Sequence, residues 1–410
     1  MNNIEIVAIG NEILKGNINN TNATEISQAL FLAGYPTSRH SVLPDDAVEL
    51  KAALGESLKR SRIVISTGGL GPTCDDITRQ IAAELFDSDF HLDEKLLQTL
   101  KQRYGNLPAS LENQATVPTK AIILNNEYGT APGLVFHNSE NTLILMPGVP
   151  REMRALLHQK VIPFIQKHYP NTRYVTRTLH FFGLSESSVD PHLRDLQKKL
   201  PDIDIGIYPT HGTVKVQFTL DATKNSAAQS QLDEACQSLA KAFASNHFEA
   251  ASGKLEEAVH QRFIEKNWTL SLAESCTGGG IAARLTKLPG ASKYFLGGIV
   301  SYSNALKEQL LNVPQSTLST YGAVSQEAAL EMVKGILDKT QSEFGIAITG
   351  IAGPDGGTPD KPVGTVWIAV ARRGATPVVS KLIALGNRDM IIEFSINGAL
   401  ARLLQYTQNL

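Results

Sequence analysis

Three cysteines in 410 residues, at positions 74, 236 and 276, make no CxxC pair and no disulfide framework. They read as reduced thiols, and a cytoplasmic location is the expectation that follows. Neither sign of charge is in excess: 38 lysines and arginines stand against 40 aspartates and glutamates, a formal net charge of −2. Binding to nucleic acid through its phosphates calls for a basic surplus, so nucleic acid is not an expected partner. No apolar stretch approaches the roughly 18 residues that suggest a membrane span, and no membrane partner is expected. The opening Met-Asn-Asn-Ile-Glu has no basic segment ahead of an apolar run, so no signal peptide is expected. Tandem repeats, low-complexity tracts and long disordered linkers are also missing. What is present is an ordinary globular composition, 42% apolar. At this length one core does not suffice, and two or three domains are expected.

Histidine is scarce in the last part of the chain. Between Ala251 and Leu410 there is one histidine, His260, and one cysteine, Cys276. The stretch that organises this region is Ala273-Glu274-Ser275-Cys276-Thr277-Gly278-Gly279-Gly280, followed by Ser301-Tyr302-Ser303-Asn304-Ala305-Leu306-Lys307. Trp268–Ala273 reads as a short apolar strand, and Ile281–Leu288 has helical spacing. A serine or cysteine on such a strand-to-helix turn is aimed outward at the sheet edge. Unpaired amides of the first helical turn lie beside it and suit a developing oxyanion. His260 falls in a helix-like run, Leu255–Phe263, and reads as a plain helix residue. A Ser-His-Asp or Cys-His arrangement is therefore poorly supplied. A neutral lysine, its pKa lowered by burial, is the remaining activator of a serine. Lys307, after a polar turn that follows the apolar run Phe295–Val300, is the candidate, with Tyr302 to relay or steady the proton. A capped turn with a solvated lysine is the plainer reading of the same spacing. Cys276 is the local rival nucleophile, since a helix start favours a thiolate.

Further on, Phe344–Thr349 reads as a buried strand opening onto Gly350-Ile351-Ala352-Gly353-Pro354-Asp355-Gly356-Gly357, a loop able to offer amides to a phosphate or carboxylate. Gly364–Val370 is the next strand. Gly386-Asn387-Arg388-Asp389 precedes a terminal helix, and Arg388 carries the fork that suits a phosphate.

AESCTGGG, SYSNALK, TGIAGPDGG and KPVGTVWIAV together resemble the C-terminal domain of the CinA family, a nicotinamide-nucleotide amidase domain. The resemblance covers roughly residue 253 to the end. It implies Ser275 as nucleophile, with Lys307 and Tyr302 as activating partners. The implied reaction converts nicotinamide mononucleotide to nicotinate mononucleotide and ammonia without a cofactor. Substrate contacts are expected from Thr277, Gly278, Gly279, Gly350, Ala352, Gly353 and Arg388.

The first part of the chain has a different pattern. Ile4–Gly10 is a strand signal, Asn11–Gly16 a loop, and Asn22–Gly34 an amphipathic helix closed by glycine. A strand near Thr37–Val42, a helix near Ala47–Arg60 and a buried-type strand, Arg62–Thr67, follow. Strands alternating with helices predict a parallel, doubly wound α/β sheet. The third strand runs into Thr67-Gly68-Gly69-Leu70-Gly71-Pro72-Thr73-Cys74-Asp75-Asp76. Glycines admit a phosphate to the backbone, and this end of a parallel strand is where such folds hold ligands. Two adjacent carboxylates suggest a divalent metal, or merely a helix cap. Later strands are punctuated by Tyr128–Val135 and by Met146–Met153, where Glu152 opens a helix and is a further acidic candidate beside Glu12.

TGGLGPTCDD, GTAPG and MPGVPREM resemble the molybdopterin-binding fold that forms the N-terminal half of CinA proteins, over roughly residues 1–170. That implies a metal-dependent ADP-ribose pyrophosphatase using Gly68, Gly69, Gly71 and Thr73 for substrate. Asp75, Asp76 and Glu12 would hold cobalt, magnesium or manganese. One departure stands out: the usual Gly-Asp-Glu of the first loop is Gly10-Asn11-Glu12 here, so one acidic position carries no charge. Residues 171–250 read as a small α+β module, with alternating strands Arg177–Gly183 and Thr213–Leu220 and a polar turn at Gly206–Gly212. The last domain then spans residues 251–410. A homodimer is the expected assembly. The competing functional readings are a nucleotide-binding regulatory protein linked to competence and a pterin-binding N-terminal half, neither catalytic.

Overall fold

The computed structural model describes residues 3–73, 76–105, 112–223, 225–408 and 410. The chain divides into two compact units, Met1–Tyr174 and Val175–Leu410.

The first unit is built on a six-stranded sheet. Its order is Thr37–Leu43, Ile4–Ile9, Ile63–Thr67, Thr142–Met146, Gly133–His137, Ile122–Leu124. The first four strands are mutually parallel, and the last two join antiparallel at one edge. Parallel strands buried on both faces carry apolar side chains at every position, as Ile4–Ile9 nearly does. Ile4, Ile6, Ile63 and Ile65 pack on one face with Ile26 and Leu30 of the helix Thr21–Leu32. Val7, Ile9 and Val64 pack on the other with Leu50, Leu54 and Ile81. This is the doubly wound α/β arrangement expected from strand–helix alternation.

The second unit holds two sheets. The first has the order Asp204–Thr210, Thr213–Asp221, Tyr174–Phe182, His247–Phe248. Here the structure corrects one expectation: Gly206–Thr210 is strand rather than turn, paired antiparallel with Thr213–Gln217. Pro209 obscured this in the sequence. It is tolerated because the strand lies at the edge of the sheet, where a missing N–H breaks no ladder on the open side. Only His211 and Gly212 turn the hairpin, both with positive φ. The helix Glu186–Lys199 begins at Ser185 in a capping box with Ser188.

The second sheet has five strands in the order Phe295–Val300, Leu270–Glu274, Phe344–Gly350, Thr365–Arg372, Val378–Ile383. Leu270–Glu274 lies parallel to both of its neighbours, and the last two strands return antiparallel. Leu270 and Leu272 face the helices Leu255–Glu265 and Arg388–Tyr406. Ala273 faces the helix Gln326–Thr340 on the other side. Small alanines at 273, 347 and 369 let that helix sit close. The carboxyl end of the central strand is thereby fixed from both faces. No helix among the described residues is long and apolar enough to cross a membrane.

Candidate active site

Ser275 follows the last residue of the strand Leu270–Glu274 and precedes the helix Gly280–Thr286. Gly278 and Gly279 make the bend with φ of 61° and 95°, a region where a side chain is strained. Ser275 donates its amide to the Ile348 carbonyl at 3.0 Å, which ties the turn to the neighbouring strand. Its side chain is then met by Lys307. The Lys307 Nζ donates to Ser275 Oγ at 3.0 Å and to the Ser301 carbonyl at 2.7 Å. The lysine is 1% exposed and forms no ion pair among the described residues. Burial holds its pKa below the usual lysine range, with the nearby Cys276 acting weakly in the other direction.

Two elements place the lysine. The Ser301 amide donates to the Glu274 carbonyl at 2.8 Å, extending the pairing between adjacent strands. The helix Asn304–Leu311 then begins at Ser303, whose hydroxyl accepts from the Leu306 amide at 3.3 Å. The first helical turn after this cap delivers Lys307 back over the serine.

Cys276, the other candidate nucleophile, packs into the core. Cys276 is 6% exposed and belongs to the apolar core. Burial pushes its thiol up to about 12, so it is protonated at neutral pH. His260 lies on the helix Leu255–Glu265 with its ring edge-on to Tyr294 at 5.4 Å between centroids. It makes no hydrogen bond with Ser275.

Tyr302 is where sequence and structure part. Its ring is 60% exposed, and its hydroxyl accepts from Arg388 Nη2 at 3.1 Å, with no hydrogen bond to Lys307 or Ser275. A polar turn separates Tyr302 from the lysine, and the ring leaves that turn on the solvent side. Its carbonyl alone approaches Lys307, at 3.5 Å. Arg388 also donates to the Gly353 carbonyl at 2.6 Å. The structure thus joins Tyr302, Arg388 and the glycine loop in a second cluster on the same unit. Gly350 ends its strand, where a Cβ would meet Val366 at 2.7 Å. Ala352 is buried against Ala384 and Ile391. Its side chain is therefore a packing group, leaving only its backbone to a ligand.

The amides expected to meet an oxyanion are partly committed. Gly278 N–H donates to Ser275 O at 3.0 Å, closing the turn. Thr277 and Gly279 N–H have no partner among the described residues. The Thr277 hydroxyl is occupied by Glu274.

Glu274 is the residue that sequence reasoning left without a role. Its carboxylate, 1% exposed, accepts from Thr277 Oγ1 at 2.7 Å, from Ile281 N at 3.1 Å and from Ala282 N at 2.9 Å. It satisfies the first free amides of the helix and complements the helix dipole. The signal was one acidic residue closing a buried strand, immediately before Ser275.

In the first unit, the glycine loop borders a cleft of about 470 Å³ lined by Glu12, Asp76 and Glu152 together with Gly68, Gly69, Gly71 and Gly148. Gly68 cannot carry a side chain, because a Cβ would sit 2.1 Å from the Ile9 carbonyl. Thr73 is exposed; its amide and hydroxyl both donate to Asp76 Oδ2. Glu152 Oε2 accepts from Asn126 at 2.6 Å. Asp75, with Cys74, lies outside the described residues. Carboxylate oxygens are the right donors for magnesium or manganese. Even so, no three acidic, histidine or cysteine side chains converge on one point among the described residues. Asp76 and Glu152 are each turned onto a neighbour. The described residues therefore do not form a ready metal site, and Asn11 adds no charge to it.

Comparison with known proteins places these sites in context. Residues 252–407 match the CinA C-terminal domain, residues 5–167 the family described as a probable molybdopterin binding domain, and residues 176–248 the damage-inducible protein CinA KH domain. A protein of Acetivibrio thermocellus named for competence-damage induction is 37% identical over 100% of this chain and 99% of its own. A CinA-like protein of Dictyoglomus thermophilum is 35% identical over 99% of each. The crystal structure of the competence/damage inducible protein CihA from Agrobacterium tumefaciens is 37% identical, covers 38% of this chain and 96% of its own, and has a TM-score of 0.36. On that full-length similarity, the chain belongs to the CinA family.

Proposed function

We propose that the second unit hydrolyses the carboxamide of nicotinamide mononucleotide to nicotinate mononucleotide and ammonia. The observation that carries this reading is a buried lysine, unpaired by any carboxylate among the described residues, 3.0 Å from the hydroxyl of a serine on a strand-to-helix turn. A lysine so placed is neutral more readily than one in water, and a neutral amine is a base. It takes the Ser275 proton as the oxygen attacks the carboxamide carbon. The resulting oxyanion meets the open Thr277 and Gly279 amides, where one such donor is typically worth about 3 kcal/mol. The lysine returns the proton to nitrogen, the C–N bond breaks and ammonia leaves. Water then repeats the sequence on the acyl-serine and frees the acid. Arg388, which has no carboxylate partner among the described residues, sits beside the glycine loop to receive the nucleotide phosphate.

Purified chain should release ammonia from nicotinamide mononucleotide, and Ser275→Ala should lose that turnover while keeping its melting temperature. Cys276→Ala should keep turnover within a few-fold. Absence of ammonia release from the unsubstituted chain would favour a binding protein without catalysis.

A second reading concerns the first unit. The cleft beside Gly68 and Gly69 has the glycines and the concavity for a phosphorylated ligand. ADP-ribose is the candidate ligand. Titration with ADP-ribose, with a pterin as competitor, in the presence and absence of magnesium, manganese or cobalt, decides between cleavage, plain binding and a pterin site.

A further inference from the structure

We infer that the second unit carries an additional site, away from Ser275, for a small phosphate-bearing anion. The site is a cleft of about 580 Å³ between the hairpin Asp204–Asp221 and the helices Leu255–Glu265, Gly280–Thr286 and Arg388–Tyr406. Its charged lining is unbalanced. Lys215, Lys254, Arg284 and Lys287 face two carboxylates, Glu256 and Glu393.

Both carboxylates are already engaged by Arg284. The guanidinium pairs with Glu393 and lies 3.8 Å from Glu256, and its Nη1 donates to Asn397 at 2.6 Å. Asn397 in turn donates to the His211 carbonyl at 2.8 Å, closing the floor against the hairpin turn. Glu257, the next acidic residue, accepts from the Ser252 amide at 2.8 Å and from the Ser252 hydroxyl. The three lysines are left without an ion pair among the described residues. Lys215 rests its ammonium over the Tyr208 ring at 4.3 Å, an arrangement that steadies a cation without neutralising it.

Three ammonium groups on one concave surface repel one another, and an anion of two or more charges relieves that repulsion. Phosphate oxygens accept from several ammonium groups at once. His180 adds a ring at the same wall; burial keeps its pKa below the usual histidine range, so at neutral pH it is available as a neutral donor or acceptor. Gly253 keeps the wall open, since a Cβ there would lie 2.4 Å from the His180 ring. The volume accommodates either inorganic pyrophosphate or a nucleoside diphosphate.

Lysine-resolved acetylation of the full chain tests this. Pyrophosphate or ADP is titrated, a short pulse of acetic anhydride is applied, and modification is read peptide by peptide. At least five-fold protection of Lys215, Lys254 and Lys287 with one shared midpoint is expected, while Lys59 on the first unit stays reactive. A lower midpoint for ADP identifies a nucleotide as the source of the phosphate; an equal or lower midpoint for pyrophosphate identifies an inorganic anion. In the Lys215→Gln, Lys287→Gln double variant, protection of Lys254 should need at least ten-fold more ligand with the melting temperature unchanged. No protection of the three lysines, protection of Lys59 to the same degree, or an unchanged Lys254 midpoint in the variant overturns the proposal.

Discussion

At Lys307 an amine is enclosed with a hydroxyl and two carbonyl oxygens and, among the described residues, forms no ion pair with a carboxylate. The consequence for pH has a definite sign. Between its lowered folded pKa and the ordinary lysine value, the unfolded chain binds one proton more than the folded chain. Stability therefore rises with pH across that window. Lys307→Met should flatten that slope, measured as melting temperature against pH. Glu274→Gln makes a second residue-scale prediction. The amide replaces one acceptor oxygen with a donor, which then faces the Ile281 or Ala282 N–H. The expected cost is about 1–3 kcal/mol in denaturant unfolding. A fall in kcat exceeding any change in KM should accompany it, because the oxyanion amides shift with the turn. The pairing of Ser275 with Lys307, seen as a hydrogen bond in the structure, was proposed from the scarcity of histidine, although a solvated lysine was the plainer reading of the spacing. Glu274 was not, because nothing in the sequence says which way a strand-ending carboxylate points. The turn of the Tyr302 hydroxyl toward Arg388 was not legible, because adjacency in the chain does not fix the direction of a ring.

The helix Asn304–Leu311 is short, and its start sets the reach of the lysine. Ser303→Ala removes the cap on the Leu306 amide and should cost about 1 kcal/mol of stability. The same change should lower turnover, while Ser303→Asp restores both; unfolding curves and ammonia release on the pair check this. On the turn after Ser275, Gly279→Ala forces a side chain into φ near 95°. About 1–2 kcal/mol of strain is expected there, with loss of activity, although among the described residues only Val300 lies near the added methyl. The buried strands and the helix closed at Gly34 fall where period and punctuation put them, whereas Asn11–Leu14, read as loop, is a short helix. The edge strand Asp204–Thr210 escaped because proline and glycine signal a turn locally, whereas sheet position, a tertiary fact, made them harmless.

At the scale of the molecule, the glycine-loop cleft and the serine–lysine pair belong to different compact units. Ser275→Ala should thus leave ADP-ribose titration of the first unit unchanged, and Asp76→Ala should leave ammonia release unchanged. The parallel α/β class of the first unit was visible in strand–helix alternation, since parallel strands need crossovers. The cationic cleft of the second unit was invisible, because its lysines come from segments far apart in the chain.

The central claim is that a neutral Lys307 activates Ser275. It is tested most directly by the pH profile of ammonia release from nicotinamide mononucleotide, for the unsubstituted chain and for Lys307→Met. The account predicts a kcat/KM that climbs with pH through an ionisation below the ordinary lysine value, and a variant at least a thousand-fold slower with no such limb. A variant that retains near-normal turnover with the same limb would contradict it.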